Sequence, residues 1–150
     1  MYFILAILAI VGLDQLTKFL VVQHLKPIHT YPIIKDVFHL TYAENDGAAF
    51  SIFAGKQLFL VVFTIIMISF LIGLTYRICQ YDGQWLAKIS MIMIVGGAIG
   101  NLIDRMRLNY VIDMFDFRLI NFAIFNIADS FVVVGVILLA FVTFFGDVKM

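Results

Sequence analysis

A single cysteine, Cys79, excludes an internal disulfide framework, and two prolines in 150 residues leave long stretches free of helix breakers. Charged side chains make up 13% of the chain, where a soluble domain carries about a quarter. Ten basic and ten acidic residues cancel, so there is no positive surplus to hold nucleic acid. Neither His-Glu-x-x-His nor Gly-x-Ser-x-Gly occurs, which leaves zincin and serine-elbow chemistry without support. His24, His29 and His39 share one loop without metal-ligand spacing and read as solvated loop residues. No metal and no organic cofactor is expected.

What the chain has is apolar surface. Hydrophobic residues form 63% of it and mean hydropathy is +1.06, more than a small soluble domain can bury. Four stretches are long enough to cross a bilayer, which takes about 20 helical residues: roughly 2–23, 57–76, 85–103 and one lying between Arg118 and Asp147. The first has no basic leader and contains Asp14 and Lys18, so it reads as a retained span rather than a cleaved signal. Spans must satisfy their own backbone and are therefore helices. The expectation is an all-α membrane protein, one domain over residues 1–150, with four transmembrane helices. Residues 36–42 and 110–114 alternate apolar with polar, which predicts a small β-sheet region on the membrane surface.

An even number of spans puts both termini on one side and the two longer loops, residues 24–56 and 104–120, on the other. The loop side carries Lys26, Lys35, Lys56, Arg105, Arg107 and Arg118, against Arg77, Lys88 and Lys149. Taken alone, that bias places the long loops in the cytoplasm.

Polar residues inside the spans are costly and mark function. Asp14 and Lys18 are four apart on one helix face, in the favoured order for an ion pair. The pair either stitches helices together or orients a site. Gly96-Gly97-Ala98-Ile99-Gly100 lets another backbone approach closely, and Asn101, Asp104 and Arg105 follow as a polar stripe. Asn126 and Asp129 share a face at the start of the last span, with Asp113 in the loop before it. Two carboxylates brought together there cannot both ionise easily, so one serves as acid and the other as base. Asp113 and Asp129 are one such pair; Asp104 and Asp116 are also candidates. Asn45-Asp46-Gly47 is turn chemistry, or else places Asn45 on a substrate backbone. A Ser130–Lys18 dyad has nothing in its favour.

Five segments in order resemble the bacterial lipoprotein signal peptidase family, signal peptidase II. They are Asp14-Gln15-x-x-Lys18; Asn45-x-Gly47-Ala48-Ala49-Phe50; Gly96 through Arg105; Val111-Ile112-Asp113; and Phe125-Asn126-Ile127-Ala128-Asp129-Ser130. The resemblance implies an intramembrane aspartyl endopeptidase that removes signal peptides from diacylglyceryl-modified prolipoproteins, cutting before the lipidated cysteine. It implies Asp113 and Asp129 as the catalytic dyad. Asn45, Gly97, Asn101, Arg105 and Asn126 then line or support the site, and Asp14 and Lys18 serve stability and site structure. It further implies a monomer in the bacterial cytoplasmic membrane, termini in the cytoplasm, site near the outer face, and membrane lipids as neighbours. Asn109 stands where the family commonly has glycine. A proton-coupled transporter and a non-catalytic assembly subunit are the competing classes; the first needs acids spread through the membrane depth, and the second tolerates loss of either aspartate.

Overall fold

The computed structural model describes residues 2–48 and 52–146. Four helices long and apolar enough to cross a membrane follow in order: α1 (Tyr2–His24), α2 (Gln57–Cys79), α3 (Trp85–Leu108) and α4 (Ile127–Phe145). Their outer faces expose Leu8, Phe19, Phe63, Ile66, Phe70 and Ile137, the apolar surface that lipid rather than water solvates.

The third helix is central and packs on each of the other three. Without a hydrophobic drive between helices in lipid, close backbone approach supplies the attraction, and glycine permits it. A Cβ at Gly100 would stand 2.6 Å from Asp14 Oδ2, one at Gly135 would stand 2.8 Å from Ile94 Cγ1, and one at Gly97 would run into the Ala128 carbonyl oxygen. At the end that carries the termini, Ile78, Ala87, Met91 and Val142 form a buried cluster joining α2, α3 and α4.

The other end carries the sheet. Three antiparallel strands, β1 (Thr30–Ile34), β2 (Phe38–Asn45) and β3 (Val111–Asp116), lie in the order β1-β2-β3. Ile112 and Met114 of β3 pack on Val21 and Leu25 at the end of α1, which seats the sheet on the helices. The expected alternation located β2 and β3. It did not locate β1, whose Thr-Tyr-Pro-Ile-Ile is exposed along most of its length and so has no period to read. Pro32 is tolerated because β1 is an edge strand.

Two expectations change. Helix α3 runs on to Leu108, so Asp104 and Arg105 lie inside its last turns rather than in a loop. It stops at Asn109, whose φ of 64° is the left-handed cap that glycine usually supplies and asparagine tolerates. His39 is not a solvated loop residue: it lies in β2 and is buried, its Nε2 accepting the Asp36 N–H at 3.3 Å. Ala49, Phe50 and Lys149, singled out in the sequence, fall outside the described residues.

Candidate active site

The site forms where α1, α3, β3 and α4 meet. Its base is a buried charge cluster around Lys18, whose ammonium lies 2.9 Å from Asp14 Oδ2 and 2.8 Å from Asp104 Oδ2 and donates to Asn101 Oδ1 at 2.9 Å. Lys18 is 2% exposed and Asp14 fully buried. An ammonium has three protons, and here each has an oxygen. The remaining carboxylate oxygens are also used. Asp14 Oδ1 accepts the Ala128 N–H at 3.0 Å, and Asp104 accepts from Gln15 Nε2 at 2.9 Å and the Ile112 N–H at 3.2 Å. The pair predicted from spacing thus ties α1 to α3, β3 and α4. Gln15, matched in the first resembling segment but given no role there, is part of the same network.

Asn101 connects this cluster to two further carboxyls. Its Oδ1 accepts from Lys18 and from Asn126 Nδ2 at 3.1 Å, while its Nδ2 donates to Asp129 Oδ1 at 2.8 Å. Asn126 is the N-cap of α4 and closes a reciprocal box with Asp129. Its side-chain oxygen accepts the Asp129 N–H at 2.9 Å, and its own N–H donates to Asp129 Oδ2 at 3.1 Å. Asn126 Nδ2 also donates to Asp113 Oδ1 at 2.6 Å. Asn45 supplies the last donor, Nδ2 to Asp113 Oδ2 at 3.0 Å. It reaches across because β2 pairs with β3 in a register that sets Ala43 opposite Asp113 and Asn45 opposite Val111, a diagonal neighbour on the sheet. Asn45 Oδ1 meanwhile accepts the Gly47 N–H at 3.0 Å, the contact of the expected turn.

Asp113 and Asp129 therefore come together, and the alternatives separate from them. Asp104 belongs to Lys18, and Asp116 is bonded to Thr41 and Arg118 on the sheet. Burial, then the neighbouring charge of Asp129, pushes the Asp113 carboxyl up to about 7, against the pull of the Asn45 and Asn126 donors. Asp113 is 2% exposed, whereas Asp129 opens onto a cavity of about 540 Å³. Asn45, Asn101 and Arg105 form the polar end of that cavity, and Phe122, Ile124 and Val133 lie in its apolar wall. Arg105 Nη2 donates to the Gly47 carbonyl at 2.9 Å, and its Nε is buried with no hydrogen-bond partner among the described residues. An orphaned donor beside a cavity suits an acceptor on a bound molecule. Gly97 does not line the cavity; it sits in the α3–α4 crossing. Ser130, weighed in the sequence only as half of an unsupported dyad with Lys18, does line it, with its hydroxyl donating to the Asn126 carbonyl at 2.9 Å. Among the described residues, no three His, Cys, Asp or Glu side chains converge as a metal-holding group.

Four membrane-spanning helices capped by a sheet, with polar side chains gathered at one end of an apolar bundle, are the build of a membrane enzyme. The fold agrees with a solved bacterial membrane enzyme, determined by the in meso method at 2.3 Å resolution: TM-score 0.81 and 29% identity, covering 99% of this chain and 94% of that one. The profile of the Signal peptidase (SPase) II family matches residues 6–145. The lipoprotein signal peptidase of Caldanaerobacter subterraneus subsp. tengcongensis is 48% identical over 136 residues, 91% of each chain. That of Clostridioides difficile is 45% identical over 150 residues, 99% of each. The chain belongs to the signal peptidase II family.

Proposed function

We propose that this chain is an aspartic endopeptidase that removes the signal peptide from diacylglyceryl-modified prolipoproteins, cutting before the lipidated cysteine. The observation that carries the reading is the double grip of Asn126 on Asp113 and Asp129, at the polar end of a cavity whose remaining wall is apolar. One carboxyl is buried and keeps its proton to about pH 7; the other has an N–H donor on each oxygen and faces the cavity.

Those environments divide the labour. Water held by Asp129 attacks the scissile carbonyl carbon and gives a proton to the Asp129 carboxylate. Asp113 gives its own proton to the carbonyl oxygen, which forms a gem-diol. Asp129 then protonates the departing amine as the C–N bond breaks, and a gem-diol hydroxyl returns a proton to Asp113. Arg105 and Asn101, at the polar end, hold the substrate backbone, and the apolar wall takes the lipidated, hydrophobic part of the substrate.

The chain acts as a monomer in the bacterial cytoplasmic membrane, with termini in the cytoplasm and the site near the outer face. The cation bias that favours the reverse has a local explanation. Of six cations on the sheet side, Lys26, Arg105 and Arg118 are bound to Glu44, Gly47 and Asp116. By the same measure Lys88, bound to the Tyr81 carbonyl, drops from the other side, so the excess shrinks from three cations to one. Purified wild type should cleave a diacylglyceryl-modified prolipoprotein and leave the unlipidated precursor intact. Asp113→Asn and Asp129→Asn, shown to be folded in detergent, should each lose activity by at least about a thousandfold. Full activity in either folded variant would remove that residue from the dyad.

A further inference from the structure

Away from the dyad, the sheet carries a polar circuit that the chemistry above does not use. Thr41 Oγ1 donates to Asp116 Oδ2 at 2.8 Å, and Arg118 Nε donates to the same oxygen at 2.9 Å. Arg118 Nη2 donates to Thr30 Oγ1 at 3.2 Å, and the Thr30 and Thr41 hydroxyls are 2.9 Å apart. One proton arrangement satisfies every contact. The Thr41 hydroxyl directs its one hydrogen at Asp116, so Thr30 must donate to Thr41, and Thr30 then accepts from Arg118. His39 Nδ1, 3.4 Å from Thr30, is the protonated ring nitrogen, because Nε2 already accepts the Asp36 N–H. The circuit joins all three strands to the first residue of a single 3-10 turn, Arg118–Ile120. Arg118 and Thr41 hold the Asp116 carboxyl below its usual range even though partial burial opposes its ionisation.

That turn opens the segment 117–126, which supplies one wall of the cavity through Phe122, Ala123, Ile124 and Phe125. The segment is pinned at its far end. The Phe115 N–H donates to the Phe125 carbonyl at 2.8 Å and the Phe125 N–H donates back at 3.3 Å, immediately before Asn126. Its near end is held on one side by the Phe117 ring, which packs on Phe38 and Phe125 at centroid distances of 4.6 and 5.8 Å, and by the Leu119 N–H, 3.4 Å from the Val37 carbonyl. The Leu119 and Ile120 side chains are 70% and 68% exposed and add little packing. Arg118 adds the side-chain hydrogen bonds that tie this end to β3 and β1, through Asp116 and Thr30. We propose that Asp116, Arg118 and Thr30 form a clasp that sets the near end of this wall, and so governs how tightly the apolar part of the substrate is held without entering the chemical step. The two anchors are separable, because the Phe115–Phe125 bridge alone adjoins the residue that grips the dyad.

This inference rests on the proposed peptidase activity for its kinetic test and has a second readout that does not. In Arg118→Ala and Thr30→Val, KM for the lipidated substrate should rise about fivefold to tenfold, with kcat within about twofold of wild type. Arg118→Lys, which reaches Asp116 but has no fork for Thr30, should fall between. Lys26→Ala, which breaks an exposed pair on the same sheet, should leave both constants alone. Hydrogen exchange of residues 119–124 should speed up in Arg118→Ala without substrate, while the amides of α4 stay protected. An unchanged KM in folded variants, or a fall in kcat at constant KM, would overturn the clasp. If wild type cleaves no lipidated substrate, the peptidase reading fails and the exchange experiment still decides: unaltered exchange in 119–124 ends the proposal.

Discussion

Lys18 is the residue on which most of the buried polar structure depends. It answers Asp14 and Asp104 and, together with Asn126 Nδ2, fixes the Asn101 oxygen so that Asn101 Nδ2 points at Asp129. Breaking a buried pair by removing one partner costs about 3–5 kcal/mol, because the other charge is left uncompensated. Lys18→Met should therefore lower the thermal unfolding midpoint in detergent by many degrees, and an unchanged midpoint would contradict the network. The ion pair itself was legible, since two charges four residues apart in an apolar span have few other uses. What could not be read was its reach. Asp104 and Asn101 are more than 80 residues away, and only the α1–α3 crossing brings them within bonding distance. The same limit left four aspartates as candidates for the dyad. Spacing gave no means to separate Asp113 from Asp104 or Asp116, and partners supplied it.

Among the elements, the start of α4 combines two tasks in one asparagine. As N-cap, Asn126 satisfies the Asp129 N–H; through Nδ2 it holds Asp113 and Asn101. Serine caps helices as well as asparagine does but lacks the amide donor. Asn126→Ser should keep stability within about 1 kcal/mol by thermal unfolding, yet lose at least about tenfold in kcat. Unchanged kcat alongside unchanged stability would mean the residue is a cap only. The four spans were legible in the sequence because lipid demands continuous apolar length. Element ends were less so, since the last turns of α3 are polar where the helix leaves the bilayer and meets the sheet. Strand β1 escaped notice for the opposite reason: with most of its residues exposed, nothing imposes a period on it.

For the whole molecule, the bundle separates its ends. Glycine contacts along α3 draw α1 and α4 together, the sheet closes over that end, and Asp113 and Asp129 share Asn126 only when β2, β3, α3 and α4 are all in place. The opposite end carries Cys79, exposed at the end of α2. With the proposed orientation, a membrane-impermeant thiol reagent should label Cys79 in inverted vesicles and not in intact spheroplasts; the reverse pattern would reinstate the orientation suggested by charge.

The central claim is that Asp113 and Asp129 work as a pair sharing one proton, and its most direct test is the pH dependence of kcat/KM on a lipidated substrate. Because the Asp113 carboxyl is raised to about 7, the catalytic proton is present below that pH and lost above it. The rate should fall about tenfold per pH unit on the alkaline side. On the acid side it should fall again as the second carboxylate gains a proton. A bell with its alkaline limb near pH 7 is the predicted result. A profile flat from about pH 4 to 9 would contradict the shared proton and with it the division of roles between the two aspartates.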